Sequence, residues 1–352
     1  MKRFFFLAAA ATAMLAACNK TEIVPTGDVQ EISFVAVNKV ATKAPVDGTT
    51  FLTGDNMDVV AYLAAGDGAT AGTYFTETLF TNVSGTNTWA GKRYWPLSDA
   101  TINFLAVTNT GGGVTDHVQN AFDSAIPASK VVSDLTGNND ATQTDLMFAA
   151  GQGTHQQGGA YTTVGMVFKH ALSWINFKVK TGNGLTVADP KIAINSITLN
   201  EVPVNGTLTV TNDNYATTEA EKCVTAYLGA AWSSTVKANM KLIESGIVTD
   251  SSADDLLLTD AYKEFGGNGV LVIPSDQTSF TINYTITQPD GTPNIFNYTY
   301  NLAGNKWEMA KKYVYNITMT LSEILIEPSV ATWGDAIETS PSLDGQGDDE
   351  KK

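Results

Sequence analysis

Few side chains in this sequence could perform chemistry, and their spacing forms no recognisable catalytic or metal site. The three histidines are His117 and His155, both in loop-like sequence, and His170, which precedes a predicted strand. No two of them have the spacing of a zinc site, and no Gly-x-Ser-x-Gly elbow supplies a nucleophile. The adjacent acids Asp254 and Asp255 do not predict the facing carboxylates of a glycosidase, which stand ~5–9 Å apart. We therefore expect no enzyme activity, no cofactor and no metal.

The first of the two cysteines ends the stretch "LAAC", and its sequence context indicates a site of modification rather than of catalysis. It is Cys18, and it follows the positive pair Lys2–Arg3 and the apolar run Phe4–Ala13. That run is shorter than the ~20 residues that span a bilayer and fits a secretory signal. "LAAC" also resembles the bacterial lipobox, in which the cysteine is acylated and becomes the mature N-terminus. We expect a signal peptide over 1–17 and lipid on Cys18, with an ordinary signal peptide as the alternative.

The charge and the second cysteine limit the partners and the redox chemistry. The formal net charge is -15, with a pI of about 4.5, so the chain lacks the basic surface that a phosphate backbone requires. We expect no binding to nucleic acid. Cys223 is the only unmodified cysteine after processing, so no intramolecular disulfide is expected, and we expect it to be a small buried apolar residue.

The remaining sequence predicts strands rather than helices. In "SFTINYTIT" (279–287) every second residue is apolar, as in a half-buried antiparallel strand. Many such runs, separated by Gly, Asn and Asp turns, predict an all-β fold of β-sandwiches. Helices are expected only at 219–227 and near 254–265. The other predicted strands cover 29–37, 57–63, 101–107, 174–179, 192–199, 207–210, 269–273, 295–300 and 313–321.

Polar and glycine-rich stretches mark the expected loops and domain boundaries. Loops are predicted at 109–114 and 133–144, and the Gly/Gln-rich stretch 151–159 is predicted to link two domains. We expect an N-terminal arm and removable strand over 18–43, followed by an N-terminal β-sandwich over 44–160. A C-terminal β-sandwich then covers 161–337, and 338–352 is an acidic tail expected to be disordered.

Four stretches, in this order, resemble the fimbrillin family of Bacteroidetes pilin lipoproteins. They are "GDNMDVVAYL" (54–63), "YWPLSDATINFLAV" (94–107), "MVFKHALSWINFKV" (166–179) and "WEMAKKYVYNITMTL" (307–321). The last is similar to a Trp-x-x-Gly-Lys-x-Tyr-x-Tyr signature, with Ala310 where the family often has Gly. The tryptophans of these stretches are expected to fill the core, and His170 is expected to make a hydrogen bond at the domain junction.

The resemblance implies a fold and a function. The fold is two transthyretin-like Greek-key β-sandwich domains in tandem. The function is a structural pilus (fimbria) subunit that supports cell adhesion. It is exported as a lipoprotein to the outer membrane and ends in the fimbrium at the cell surface. The implied partners are further copies of the chain, other fimbrillin subunits and a trypsin-like processing protease.

In that family a protease removes an N-terminal strand, and the exposed groove accepts an extended strand from the next subunit, which is β-augmentation. Here "VQEISFVAV" (29–37) carries Ile32 and Phe34 on one face and is followed by Lys39 and Lys43. The resemblance implies cleavage after Lys43, with Lys39 second. In the alternative interpretation, the two lysines only protect an edge strand from pairing.

The predicted donor is "EILIEPSVATWGDA" (323–336), through Ile324, Ile326, Val330 and Trp333. The alternative is that this segment completes the sandwich of its own chain. The stretch around Ser124 resembles a short bacterial O-glycosylation signal. The second functional hypothesis is a surface-anchored adhesin or glycan-binding lipoprotein that does not polymerise.

Overall fold

The computed structural model describes residues 30–37, 51, 53–63, 72–84, 88–110, 128–134, 143, 145–156, 163–182, 190–212, 228–248, 255–276, 279–302 and 306–333. Within these ranges the chain forms strands and no helix, so no described helix has the length and apolar character to cross a membrane. The strands are β1 (Glu31–Val37), β2 (Asn56–Leu63), β3 (Gly72–Ser84), β4 (Thr88–Tyr94), β5 (Ala100–Thr110), β6 (Ala128–Asp134), β7 (Asp145–His155), β8 (Val164–Val167), β9 (Lys169–His170), β10 (Ser173–Thr181), β11 (Lys191–Asn212), β12 (Leu228–Ile243), β13 (Gly246–Val248), β14 (Leu256–Leu257), β15 (Lys263–Val272), β16 (Ser275–Asp276), β17 (Ser279–Thr287), β18 (Pro293–Asn301), β19 (Lys306–Trp307), β20 (Lys311–Met319) and β21 (Ile324–Thr332).

The prediction of an all-β fold built from β-sandwiches is confirmed. The helix predicted near 254–265 is wrong, because this stretch contains β14 and the start of β15. Leu256 and Leu258 are buried while Leu257 between them is exposed, which is the period of a strand. The helix predicted at 219–227 lies outside the described residues.

The first sheet has eight strands in the order β8-β1-β4-β3-β2-β5-β7-β9. Its two end strands follow each other in sequence, with only Phe168 between them. β8 pairs in parallel with β1 at one end, and β9 pairs antiparallel with β7 at the other. The chain from Val164 to His170 therefore joins both ends of the sheet. The enclosed core includes Ile32, Phe34, Phe80, Trp89, Phe104 and Met147.

The glycines predicted to lie in a domain linker belong to a strand of this sheet. Gly151 and Gly153 are both in β7, so the prediction is wrong for residues 151–155. The physical reason is close packing. A Cβ on Gly153 would overlap the Trp95 ring, and one on Gly151 would stand 2.8 Å from the carbonyl oxygen of Gly165. These glycines bring β7 against its neighbours.

The second sandwich consists of a four-stranded and a larger sheet. The four-stranded sheet has the order β15-β10-β20-β21, and the larger one follows β13-β12-β11-β17-β18, with β14 and β6 also paired to β11. The core between them holds Phe177, Phe280 and Tyr315, whose rings lie 5.1 to 5.5 Å apart. Alternation produces this core, because inward residues such as Phe280 and Ile282 are buried and their neighbours are not.

A third apolar cluster lies where the two sandwiches meet. It combines residues from β5 and β7 of the first sheet with residues from the second sandwich. Its members are Val107, Leu146, Phe148, Ala171, Leu172, Trp174, Leu208, Leu271, Ile273 and Trp333. β6 lies between β5 and β7 in sequence, but it pairs with residues 205–211 of β11 and so belongs to the second sandwich.

Candidate functional site

The strand expected to be removable occupies a slot inside the first sheet. β1 pairs antiparallel with β4 on one side and in parallel with β8 on the other. We call its position between these two strands the β1 slot. Ile32 and Phe34 are both 0% exposed, whereas Val35 between β4 and β8 faces outward. The alternating pattern of the sequence therefore corresponds to an inner and an outer face.

Phe34 is the main side chain that fills the slot. Its ring meets the ring of Phe80 edge-on, with centroids 4.8 Å apart, and that of Phe104 in the same way at 5.0 Å. Edge-to-face aromatic pairs contribute about 0.5–1.5 kcal/mol each beyond the area they bury. Phe34 therefore packs at the centre of the core enclosed by the first sheet and not only at its edge.

Hydrogen bonds hold the start of β1 in the slot, and the ring of Phe51 packs against residues in or beside the neighbouring strands. At its start the backbone N–H of Trp95 donates to the carbonyl of Gln30 at 3.0 Å, and the N–H of Lys92 donates to Glu31 Oε1 at 2.8 Å. The next described residue after β1 is Phe51, whose ring packs against Trp89 and against Phe168 beside β8. Lys39 and Lys43 fall between these points, at positions outside the described residues.

The predicted donor segment completes the sandwich of its own chain. All nine residues of β21 pair with β20. Ile324, Ile326 and Val330 are half-buried against the second core, and Trp333 just beyond the strand is buried. The three aliphatic positions are thus partly open, whereas Trp333 is fully enclosed.

The side chain of Trp333 packs against a polar pair of residues, and the sequence did not predict that these three residues form one cluster. The imidazole of His170 stacks on Trp333 and approaches the carboxylate of Asp145, with His170 Nδ1 3.0 Å from Oδ1 and 2.9 Å from Oδ2. All three side chains are buried. The hydrogen bond expected from His170 at the junction is confirmed. Asp145 was not predicted, because nothing in its local sequence marks it as the partner of a residue 25 positions away.

The other predicted sites have different outcomes. His155 is buried at the end of β7 rather than in a loop, and its ring lies near that of Trp95. Trp95, Trp174 and Trp307 are buried, which confirms that they fill the core. Cys18, His117, Ser124 and Cys223 lie outside the described residues. Within the described ranges, no group of three or more His, Cys, Asp or Glu side chains is placed to hold a metal ion.

Comparison with models of protein families identifies the family of this chain. The family model described as fimbrillin-like matches residues 42–333, which is more than half of the sequence. The chain belongs to the fimbrillin-like family. No curated protein matches this fimbrillin-like chain by sequence.

Solved structures have the same fold at low identity. A fimbrial protein from Bacteroides vulgatus aligns with a TM-score of 0.50 at 13% identity, over 86% of this chain and 99% of that one. A candidate cell adhesion protein from Bacteroides ovatus aligns with a TM-score of 0.50 at 14% identity, over 87% and 98% of the two chains. At these identities the likeness establishes the fold of this fimbrillin-like protein.

Proposed function

We propose that this fimbrillin-like protein is a structural subunit of a surface fimbria and that it polymerises by strand exchange. Membership of the family supports a fimbrial or adhesive role, with other fimbrial subunits as partners. The observation that carries the finer proposal is the position of β1, an N-terminal strand paired on both sides and filling the core with two side chains. Export as a lipoprotein acylated on Cys18 and trimming by a trypsin-like protease are parts of the same proposal.

Removal of β1 leaves a groove with a defined ligand. The other pairings of the sheet do not involve β1, so β4 and β8 become two unpaired edges facing each other across the rings of Phe80 and Phe104. The ligand is an extended strand with two apolar side chains separated by one residue. Burying such a pair contributes about 3–6 kcal/mol, with roughly 1 kcal/mol more for each backbone hydrogen bond.

The C-terminal segment has the spacing that the groove requires. Ile324 and Ile326 are separated by one residue, as are Ile32 and Phe34. Among the strands that the structure describes, β21 lies at the edge of its sheet and is paired on one side only, so its release breaks one ladder rather than two. We propose that β21 leaves its own sandwich and enters the β1 slot of the next subunit.

The test compares processing with assembly. The purified chain is treated with trypsin, examined by electron microscopy, and the N-terminus of the assembled material is sequenced. We expect filaments that begin at residue 44 or 40. The double variant Lys39→Gln/Lys43→Gln should stay monomeric, whereas the control Lys263→Gln, at an exposed lysine of β15 in the other sandwich, should assemble normally. Filaments that retain β1 would contradict the proposal.

A second candidate function is a surface-anchored adhesin or glycan-binding lipoprotein that does not polymerise. It is favoured by the complete pairing of β21 within its own chain and by the enclosure of Trp333. The same experiment separates the two functions. A chain truncated before Glu323 should remain soluble but lose assembly under the first proposal, and a cell-surface form that keeps lipid on Cys18 supports the second.

A further inference from the structure

One edge of the second sandwich lacks the features that normally prevent strand pairing. Among the described strands, β18 is the last of its sheet and pairs only with β17, in an unbroken register from Ser279↔Asn301 to Thr287↔Pro293. Its nine residues, PNIFNYTYN, include no charged side chain, and proline occurs only at the first position. Ile295 is 68% exposed and Phe296 is 41% exposed. A long, regular, uncharged edge is a template for another strand.

The other described edge strands are short or carry protective features, and β8, β9 and β14 have only two to four residues each. β21 has Glu327 and Pro328 at its centre, and proline removes a backbone donor. β15 begins with Lys263–Glu264 and has several glycines with positive φ. β6 contains Lys130 and Asp134, and β13 has only three residues. The part of β12 that does not pair with β13 includes the charged residue Lys237. The ladder between β12 and β11 is also irregular, with three register shifts. The contrast makes β18 an open edge.

Both faces of β18 extend rows of side chains that cross the sheet. On the outer face, Asn195 Nδ2 donates to Asn283 Oδ1 at 2.7 Å, and Asn283 Nδ2 donates to Asn297 Oδ1 at 2.8 Å. Thr281 and Thr299 are linked beside them at 3.1 Å. On the inner face, Tyr284 stacks on Phe296 with centroids 5.4 Å apart. These rows end at β18 with side chains that a further strand could meet.

We propose that β18 is a docking edge for a second copy of this chain, which pairs antiparallel with it about a two-fold axis at Asn297. Asn297 is the central residue of the strand. In this register Asn297 lies opposite its counterpart, Ile295 lies opposite Thr299, and Phe296 lies opposite Tyr298. The amide row continues on one face and the aromatic row on the other, so the strand is complementary to itself.

The charges around the strand agree with this partner. The chain has a net charge of -15, which opposes most contacts between copies, but β18 and its neighbour β17 contain no charge. Antiparallel pairing brings the Asp290 end of one strand towards the Lys306 end of the other. Lys306 is already paired with Asp276 at 2.8 Å. Asp290 lies seven residues from the axis, and its carboxylate already accepts a hydrogen bond from the backbone N–H of Thr292.

The expected contact is small and gains strength by repetition. A nine-residue strand is about 30 Å long, and one strand pair covers less than the ~800 Å² per partner of a standard interface. Isolated copies should therefore associate weakly. In a filament the same edge recurs on every subunit, and many weak contacts act together. The inference does not depend on strand exchange, because it concerns the opposite sandwich and can be tested on the untrimmed chain.

Disulfide trapping tests the register. In a Cys18→Ser/Cys223→Ser background no other thiol is present. Asn297→Cys should cross-link rapidly under mild oxidation, since paired residues across antiparallel strands have Cα atoms ~4.5–5.5 Å apart, within disulfide range. The control Thr281→Cys is on the same face one strand further in, at least about 14 Å from its counterpart, and should not cross-link. Equal trapping of both variants would overturn the proposal.

A charge exchange tests the partner. By sedimentation equilibrium, Asn297→Lys should lower the association constant at least tenfold, because two like charges meet at the axis. Asn297→Asp alone should do the same, and an equimolar mixture of the two variants should recover a heterodimer, which also shows that both are folded. The control Ser322→Lys, at an exposed position in the turn between β20 and β21, should associate like the parent chain. A parent chain that stays monomeric at millimolar concentration, or a mixture without recovery, refutes the docking edge.

Discussion

The imidazole of His170 lies parallel to the indole of Trp333, with ring centroids 3.9 Å apart and an interplanar angle of 0°. His170 ends β9 in the first sheet, and Trp333 follows β21 in the second sandwich. The backbone N–H of Trp333 also donates to the carbonyl of Ala310 at 2.9 Å. The contact therefore fastens the end of the proposed donor strand to the edge of the other sandwich.

We expect Trp333→Ala to loosen β21 more than the rest of the chain. Truncation of a large buried aromatic side chain costs about 3–5 kcal/mol of unfolding free energy. Amide hydrogen exchange should accelerate selectively in β21. Urea unfolding measures how much the unfolding free energy of the whole chain falls. Trp333→Phe keeps a ring over His170 and should cost much less. The exposed neighbour variant Thr332→Ala should change neither quantity. Uniform acceleration of exchange would mean that Trp333 supports the whole core instead of fastening one strand.

The glycines of β7 give a second prediction. Gly153→Ala should lower the unfolding free energy by about 1–3 kcal/mol, because the new methyl group overlaps the Trp95 ring. Gly165→Ala in β8 is the matched control. No atom lies within 4 Å of its Cβ position, so that variant should be neutral or slightly more stable. Denaturant unfolding measures both, and equal stabilities would show that Trp95 can move away at no cost.

Ala310 is strained where the family signature often has glycine. Its φ is 58°, in the left-handed region that disfavours a side chain. Ala310→Gly should therefore raise the unfolding free energy by about 1 kcal/mol, in contrast to most glycine substitutions. The same change at Ala331, in the extended backbone of β21, should lower it by about 0.5–1 kcal/mol. Thermal and urea unfolding of the two variants would reveal opposite signs. Destabilisation by both variants would contradict the strain at Ala310.

Alkaline pH should weaken the second core through Tyr315. Burial raises the pKa of its phenol well above the ordinary value near 10, although the hydrogen bond from Trp307 Nε1 at 2.9 Å opposes the shift. The unfolded chain then releases this proton first. The free energy of unfolding is fully retained below pH ~10 and falls above it, by up to about 1.4 kcal/mol per pH unit for one proton.

Substitution of Tyr315 separates titration from packing. Urea unfolding of Tyr315→Phe between pH 8 and 11.5 should show a smaller alkaline loss than the parent chain, with a cost of about 1–3 kcal/mol at neutral pH because the indole N–H loses its acceptor. Trp307→Phe removes the same hydrogen bond but keeps the phenol, so it should retain the alkaline loss. An unchanged pH slope in Tyr315→Phe would assign the loss to other tyrosines, such as the buried Tyr313 and the half-buried Tyr300, whose pKa values are also raised by burial.

The strands were predictable where one face is buried and the other is not. In β17 the inward residues Phe280 and Ile282 alternate with Thr and Asn, and the period-two pattern is visible in the sequence. The same is true of β1, where Ile32 and Phe34 correctly indicated the buried face. β12 was missed because its start, LGAAWSST, has no such alternation and pairs along the length of β11.

The location of β1 could not be predicted. Its neighbour β8 lies about 130 residues away in sequence, and a local pattern does not state which distant strand is its partner. The pairing of His170 with Asp145 could not be predicted for the same reason, since each residue alone resembles an ordinary polar side chain. The glycines of β7 were misread because glycine signals a turn in most contexts, and only the position of Trp95 shows that here it allows close packing.

The two-sided pairing of β1 has a mechanical consequence. A strand bound by ladders along both sides and pulled along its own axis is loaded in shear, so many hydrogen bonds must fail at once instead of opening one after another. Any strand that replaced β1 between β4 and β8 would inherit this loading direction. The strength of such a joint under flow or traction is then set by its rupture rate under force rather than by its equilibrium affinity.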